Sequence, residues 1–369
     1  MSPTVLTVVA GSSSLHLAYV RDGAVGHRLD RSDPPGSAEA ARDADEFLSR
    51  QRRPAAVGHR LVHGGELVTA PRIVDDALRA ELDGLVELAP LHLPPALRLL
   101  DQLRTRLPDV PHVLCPDSGF HAGLPAHAAT YPLPAAWRRR WGLRRYGFHG
   151  LSYSYALRRA ARLLDRPVER LQLVLTHLGG GASVCAVRDG RSVDTSMGFT
   201  PLDGVPMAKR SGAVDPGMLL WLLDDARLGR DELADGLNRR SGLLGLSDGR
   251  SDDTRELVAA AADDPAAALA LAVFNHRVRR EIAAAATSLD RLDALVFTGE
   301  IGWDQPEVRR DVCAGLSLLG VRPPARLENR ADDGPVSAPD DPVPVLVIEP
   351  REELAVAEET VAALAALAG

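Results

Sequence analysis

Two periods of apolar residues run through this chain, and together they set its element order. Short alternating or continuous apolar runs over residues 4–10, 15–20 and 24–28 read as three strands, joined by tight turns at Gly11-Ser12-Ser13-Ser14 and Arg21-Asp22-Gly23. Ser37 then caps a helix to about residue 51. Residues 55–62 form a strand that runs into His63-Gly64-Gly65-Glu66, and three- and four-residue spacing predicts helices over 75–88 and 95–107. A short strand at 112–115 delivers Pro116-Asp117-Ser118-Gly119-Phe120-His121, and a helix over 152–164 follows. Strands at 171–178 and 182–187 flank Gly179-Gly180-Gly181. Helices are predicted over 216–226, 230–239 and 265–289, a strand over 294–298, a last strand over 343–348 and a last helix over 352–367. Residues 4–28 and 171–193 share a strand–turn–strand layout without sharing sequence, which predicts two similar α/β domains facing a cleft where a ligand binds.

Length and composition narrow the class. A chain of 369 residues has room for two or three domains around large cores. Lysine and arginine number 43 against 50 acidic residues, a net charge of −7, and no block of like charge stands out. Nucleic acid and anionic membrane are therefore not expected as partners. The start has no basic segment before its apolar run, so it reads as a strand and not as a signal peptide, and no apolar run reaches bilayer-spanning length. Cys115, Cys185 and Cys313 form no C-x-x-C pair, which argues against disulfide and zinc frameworks. A cytoplasmic, soluble protein is the expectation.

The three glycines at 179–181 let backbone N–H groups approach an anion without side chains in the way, with His177 entering the hairpin and Asp194, Thr195 and Ser196 leaving it. No G-x-x-x-x-G-K-[ST] occurs, so this is not a P-loop; taken alone, such a glycine-rich hairpin is more often just a hairpin. His59 and His63 have the i, i+4 spacing of a metal pair, but strand and glycine context argue against that use.

Eleven motifs in order change the reading: GSSSL (11–15), HRLVHGGE (59–66), APLHLP (89–94), DSGFH (117–121), RYGFHG (145–150), THLGGGASV (176–184), DTSMGFTPLDG (194–204), KRSGAVDPG (209–217), SGLLGLS (241–247), FTGEIG (297–302) and REELAVA (351–357). In this series the chain resembles the acetate kinase family over almost its whole length. The resemblance implies the two-domain actin-like ATPase fold, with ribonuclease-H-like domains facing a cleft. Residues 1–149 plus the C-terminal helix 353–369 would form one domain, and 150–352 the nucleotide-binding one. It also implies a homodimer and reversible, magnesium-dependent phosphoryl transfer between ATP and acetate or propionate.

Carried onto these positions, the resemblance makes Arg60, Asp117, His149 and Arg210 catalytic, with Asp117 and Glu352 holding Mg2+. Two planar guanidinium forks suit a phosphoryl group whose three equatorial oxygens share charge. The acceptor pocket would be Val62, Leu91, His92, Phe148 and Pro201, a small apolar lining for a methyl or ethyl tail. Nucleotide and phosphate would meet Ser12, His177, Gly179, Gly180, Gly181, Asp253, Thr254, Arg255, Gly299, Glu300, Ile301 and Gly302. The substrate carboxylate is itself the nucleophile, so direct in-line transfer is the expected mechanism.

The chain departs from the family pattern at several of these motifs. Val9 stands where asparagine is usual, His16 for lysine, Gly180 for asparagine, Tyr153 for histidine and Lys209, the sole lysine, for threonine. Glu300 replaces a glycine beside the purine. Two alternatives therefore stay open: a related carboxylate kinase using another donor such as pyrophosphate, and a weakly catalytic or non-catalytic actin-like binding or scaffold protein.

Overall fold

A computed structural model describes residues 3–11, 14–32, 35, 37–224, 227–324 and 332–368. The chain divides into two compact units, Met1–Ala122 with Phe148–Tyr155 and Arg351–Gly369, and Gly123–Gly147 with Ala156–Pro350.

In the first unit β1 (Val5–Ala10), β2 (Leu15–Arg21) and β3 (Ala24–Arg31) make an antiparallel meander. Helix α1 (Ala38–Ser49) follows, its first turn capped by Ser37 Oγ, which accepts from Ala40 N at 3.1 Å. Then come β4 (Ala56–Leu61), β5 (Arg72–Ile73), α2 (Asp76–Leu82), α3 (Leu93–Arg106) and β6 (His112–Pro116). The sheet order is β3-β2-β1-β4-β6-β5, with β1, β4 and β6 parallel. Those central strands are almost wholly buried, as continuous apolar runs require when both faces are covered. One face packs Leu6, Val8 and Leu17 against Ala40, Ala44, Leu99 and Leu103. The sequence expectation of one helix over 75–88 is corrected. Helix α2 stops at Leu82 and a 3-10 turn covers Asp83–Leu88, where Gly84 weakens the α-helix and no residue is buried to hold it.

Two short helices, α4 (Ala126–Ala129) and α5 (Ala135–Trp141), belong to the second unit, whereas the sequence reading put residues up to 149 in the first. Local hydrogen bonds explain the assignment. Arg145 N donates to Ala129 O at 2.8 Å, Tyr146 N to Gly198 O at 3.0 Å, and Phe199 N to the Tyr131 hydroxyl at 2.8 Å. Helix α6 (Gly150–Leu163) contains the division between the units.

The second sheet is built from β7 (Gln172–Leu178), β8 (Ala182–Arg188) and β9 (Arg191–Thr195), again an antiparallel meander. Helices α7 (Pro216–Leu223), α8 (Arg230–Arg239), α9 (Gly242–Leu246), α10 (Thr254–Ala260) and α11 (Pro265–Ala286) intervene before β10 (Ala294–Thr298). Helices α12 (Gly299–Asp304) and α13 (Pro306–Ala314), strands β11 (Gly334–Pro335) and β12 (Val345–Val347), and helix α14 (Glu352–Ala368) complete the chain. The order is β11-β12-β10-β7-β8-β9, with β10 parallel to β7 and β12. The layout shared by residues 4–28 and 171–193 therefore extends to whole sheets: β3-β2-β1-β4-β6 in one unit corresponds to β9-β8-β7-β10-β12 in the other. Helix α14 returns to the first unit and covers the other face of its sheet, with Val113 and Cys115 against Ala355 and Val356. Gly58 permits that approach, since a Cβ there would lie 2.2 Å from Thr360 Oγ1. Among the described residues no helix is long and apolar enough to cross a membrane.

Candidate active site

Strands β4 and β6 are parallel neighbours in the register Arg60↔Cys115 and Leu61↔Pro116, so their carboxyl ends deliver Arg60 and Asp117 side by side. Arg60 Nε and Nη2 donate to Asp117 Oδ2 at 2.9 and 2.7 Å, and Glu352 Oε2 lies 3.5 Å from Arg60 Nε. The pair is desolvated, with Asp117 fully buried and the Arg60 side chain 14% exposed. Burial works against the charged guanidinium, but the Asp117 and Glu352 carboxylates more than reverse it, so the Arg60 pKa is raised. Burial pushes the Asp117 carboxyl up and the Glu352 charge adds to this, against the opposing pull of Arg60. Two carboxylates thus share one guanidinium, a surplus of negative charge at the strand ends.

The motifs expected to flank this pair are fastened to it. Helix α6 begins directly over Asp117: Leu151 N lies 3.5 Å from Asp117 Oδ1, and a Cβ on Gly150 would sit 2.0 Å from the Asp117 carbonyl oxygen. The residue before it, His149, is buried and holds φ at 60°, the left-handed region that costs a non-glycine residue about 1–2 kcal/mol. Its carbonyl accepts from Tyr153 N at 2.9 Å, while His121 Nε2 donates to Phe148 O at 3.0 Å. Phe148 packs edge-on against His63, whose Nδ1 accepts from Gly65 N at 3.0 Å. Gly64 N donates to Ser118 Oγ at 3.1 Å. The HGGE, DSGFH and YGFHG segments therefore form one block. Val62 and Phe148 are buried in it, and Leu91 and His92 lie partly buried at the approach to α3.

His59 does not act with His63. Its Nε2 meets His112 Nδ1 at 2.8 Å, and His112 Nε2 meets Leu107 O at 3.3 Å. Since His112 Nε2 must donate to that carbonyl, its Nδ1 accepts and His59 Nε2 donates, with both rings neutral. Burial lowers His59 well below the usual histidine value, and lowers His112 and His121 to about 4. The unfolded chain takes up these protons as pH falls below about 6.5, while the folded chain refuses them until about 4. Stability that is complete at neutral pH is accordingly lost across that window, by about 3 kcal/mol for His121 alone. A thermal melting point that falls steadily from pH 7 to pH 4.5 is the expected result; a flat profile would contradict it.

In the second unit β7 and β8 pair in register from Gln172↔Arg188 to Leu178↔Ala182, leaving Gly179-Gly180-Gly181 as the tip. A Cβ on Gly179 would lie 3.5 Å from Glu300 N and 3.8 Å from His177 Nε2, so the tip, the His177 ring and the start of α12 converge. Gly299 has φ +80° and no room for a side chain, its Cβ falling 2.4 Å from Leu178 O. Gly180 is exposed, and a Cβ there meets nothing within 4 Å, so this glycine is not required by packing. Gly181 is partly buried, Ile301 and Gly302 are buried, and Glu300 faces outward. Asp253 caps α10, accepting from Arg255 N at 2.8 Å and from its guanidinium at 2.7 Å, and Thr254 is buried behind it. That hydrogen bond raises the Arg255 pKa.

Arg210 Nη1 donates to Pro201 O at 2.8 Å, so Pro201 stands with Arg210 in this unit, while the other expected acceptor residues lie in the first. Lys209 lies 3.3 Å from Asp252 at the surface. Ser12 falls outside the described residues. One residue escaped the sequence reading: Arg309, almost fully buried, donates to Gly302 O at 3.0 Å and Trp303 O at 2.7 Å, closing the carbonyl end of α12. Burial lowers its pKa to about 10. Nothing in the sequence distinguishes it from the many other arginines.

Residues 41–358 match the Acetokinase family. An acetate kinase of Clavibacter michiganensis subsp. michiganensis is 46% identical over 315 residues, covering 85% of this chain and 79% of that one. The crystal structure of Porphyromonas gingivalis acetate kinase superposes with a TM-score of 0.88 at 30% identity, covering 98% of this chain and 100% of that one. A propionate kinase from Francisella tularensis subsp. tularensis gives a TM-score of 0.85 at 30% identity, covering 98% and 99%. The fold class expected from the motifs, the actin-like α/β architecture, holds. With one family matched along most of its length and that family's solved structures sharing its fold, the chain belongs to the acetokinase family.

Proposed function

We propose that this chain is an acetate kinase, transferring the γ-phosphoryl group of ATP reversibly to the carboxylate of acetate or propionate. The observation that carries this reading is the desolvated Arg60–Asp117 pair, with Glu352 beside it and His149 held left-handed on the adjoining turn. In the forward step a carboxylate oxygen forms a bond to the γ-phosphorus as the bond to the β,γ-bridging oxygen breaks, giving acyl phosphate and ADP. No protein nucleophile is needed. Asp117 takes Nε and Nη2 of Arg60 and so fixes the fork, leaving the Nη1 side to face the transferred group. Arg210 supplies the second fork and His149 a further hydrogen bond, each strongest where charge builds on the equatorial oxygens. Val62 and Phe148 bound the acceptor's tail. His177 and the 179–181 tip grip the donor's phosphates.

The residues also fit magnesium. Asp117 and Glu352 offer hard oxygens and a surplus negative charge, and the described residues contain no group of three His, Cys, Asp or Glu that could form a closed cage. That suits an ion that keeps water and phosphate ligands. When bound, Mg2+ would neutralise charge on the donor phosphates.

The departure at Glu300 favours a second reading, in which the same transfer uses a donor without a purine, such as pyrophosphate. Hydroxamate trapping with acetate, magnesium and either ATP or pyrophosphate decides between them. Acyl phosphate from ATP at a KM no higher than about 1 mM supports the first reading; product from pyrophosphate alone replaces it with the second.

A homodimer accompanies this reading. Helix α7 buries none of its residues and exposes Leu220 (71%) and Trp221 (57%) beside Met218 and Leu223, an apolar surface suited to a second copy. Leu220→Asp is expected to convert a dimer to a monomer in size-exclusion chromatography with light scattering. An unchanged dimer mass would remove α7 from the interface.

A further inference from the structure

The net charge of −7 hides an uneven distribution. From residue 118 to residue 164 the chain contains eight arginines and no aspartate or glutamate. The sequence reading found no block of like charge because these arginines are spaced among apolar residues. The structure brings three of them, Arg138, Arg139 and Arg140, onto α5, a helix that buries none of its residues. None of the three forms an ion pair with a carboxylate among the described residues; Arg138 Nε donates to the Leu133 carbonyl at 3.1 Å. Leu133, just before the helix, and Trp137 and Trp141 on it recur at four-residue spacing, and each tryptophan is 51% exposed. Two of the chain's four tryptophans thus stand half-exposed on one seven-residue helix.

A helix this short gains little from its own hydrogen bonds, and one that buries nothing gains little from packing. Its composition matches the boundary between lipid headgroups and acyl chains, where indole rings with one polar edge and arginines with apolar stems are both accommodated. The aromatic faces also argue against stacked nucleic-acid bases. Trp137 and Trp141 pack edge-to-face on each other at 6.2 Å, and the Arg140 guanidinium lies over the Trp141 ring at 5.0 Å. The indoles therefore offer edges more than open faces, and a base needs a face. An exposed apolar stripe with basic flanks enters a bilayer surface without a matching groove.

We propose that Leu133, α5 and its arginines form a peripheral docking element for membranes rich in anionic phospholipid. Leu133, Trp137 and Trp141 enter the headgroup boundary, and Arg138, Arg139 and Arg140 pair with lipid phosphates. The inference does not rest on the kinase reading.

The test is co-sedimentation of the full chain with vesicles of equal phosphatidylglycerol and phosphatidylcholine, and with vesicles of phosphatidylcholine alone, at low and near-physiological salt. Binding to the anionic vesicles is expected, weakening as salt rises, with little binding to the neutral ones. Combined Arg138→Glu, Arg139→Glu and Arg140→Glu should weaken it by roughly a hundredfold, and Trp137→Ala with Trp141→Ala by roughly tenfold. Thermal melts matching wild type show that both variants are folded, and each should keep its turnover in solution. No binding to anionic vesicles at low salt overturns the proposal, as does equal binding by wild type and variants. Wild type that binds a single-stranded oligonucleotide but not the vesicles, or that uses α5 to self-associate, overturns it as well.

Discussion

Arg60→Ala lowers kcat by about three orders of magnitude and leaves the KM for acetate within about threefold of wild type. The expectation follows from where charge develops. Ground-state acetate and ATP carry their charges apart, whereas the transferring phosphoryl group spreads charge over three equatorial oxygens, and a fork aimed there is strongest at the transition state. Asp117 already fixes the Arg60 fork through two hydrogen bonds to one oxygen, so little reorganisation accompanies the reaction. Removing Arg60 also leaves Asp117 buried with Glu352 as its charged neighbour, which costs stability of about 3–5 kcal/mol. Two further variants separate the effects. Arg210, whose Nη1 bonds the Pro201 carbonyl, can be removed without stranding that buried acid, so Arg210→Ala should lose kcat with a smaller fall in melting temperature. Arg60→Lys keeps a charge near Asp117 but loses the planar fork, and should recover stability more than turnover. Steady-state kinetics beside thermal melts read all three. A change confined to KM would contradict the assigned role.

Gly150→Ala should cost about 3 kcal/mol or more and abolish most activity. The added Cβ would lie 2.0 Å from the Asp117 carbonyl oxygen and 2.6 Å from Phe120 Cβ, and the backbone oxygen cannot swing aside as a side-chain end could. Relief requires the start of α6 to move away from Asp117. That would carry off the Leu151 N contact and the turn that holds His149 at φ 60°. Gly180→Ala is the matched control: its Cβ meets nothing within 4 Å, so its stability change should stay within about 0.5 kcal/mol. Denaturant unfolding of both variants, with turnover measured alongside, checks the contrast. Equal stability of the two would mean that Gly150 is not packed as described.

What the sequence disclosed, and what it withheld, follows from how local each signal is. Ser37 was legible as a helix cap because its side chain and the amide it satisfies lie three residues apart. The β7–β8 hairpin was legible because its strands adjoin. The Arg60–Asp117 pair is separated by 57 residues, and only the motif resemblance joined them. The i, i+4 spacing of His59 and His63 was set aside because their context is a strand; what the sequence did not show is that His59, in β4, finds His112 across the sheet. Helices α12 and α13 were not predicted, since glycine and proline at 299, 302 and 306 interrupt any helical pattern there. In the structure Gly299 starts a helix with φ +80° and Pro306 occupies the first turn of the next. The structure groups residues 123–147 with the second unit, where the sequence reading put them in the first, through bonds to Gly198 and Phe199 that are distant in sequence.

The most direct test is a crystal of the full chain grown with magnesium, ADP, aluminium fluoride and acetate. A planar fluoride group lying between ADP and the acetate carboxylate, with guanidinium nitrogens of both Arg60 and Arg210 within about 3 Å of its fluorines, is the predicted result. Finding either arginine turned away from that group, or the two on separate surfaces, would contradict the account.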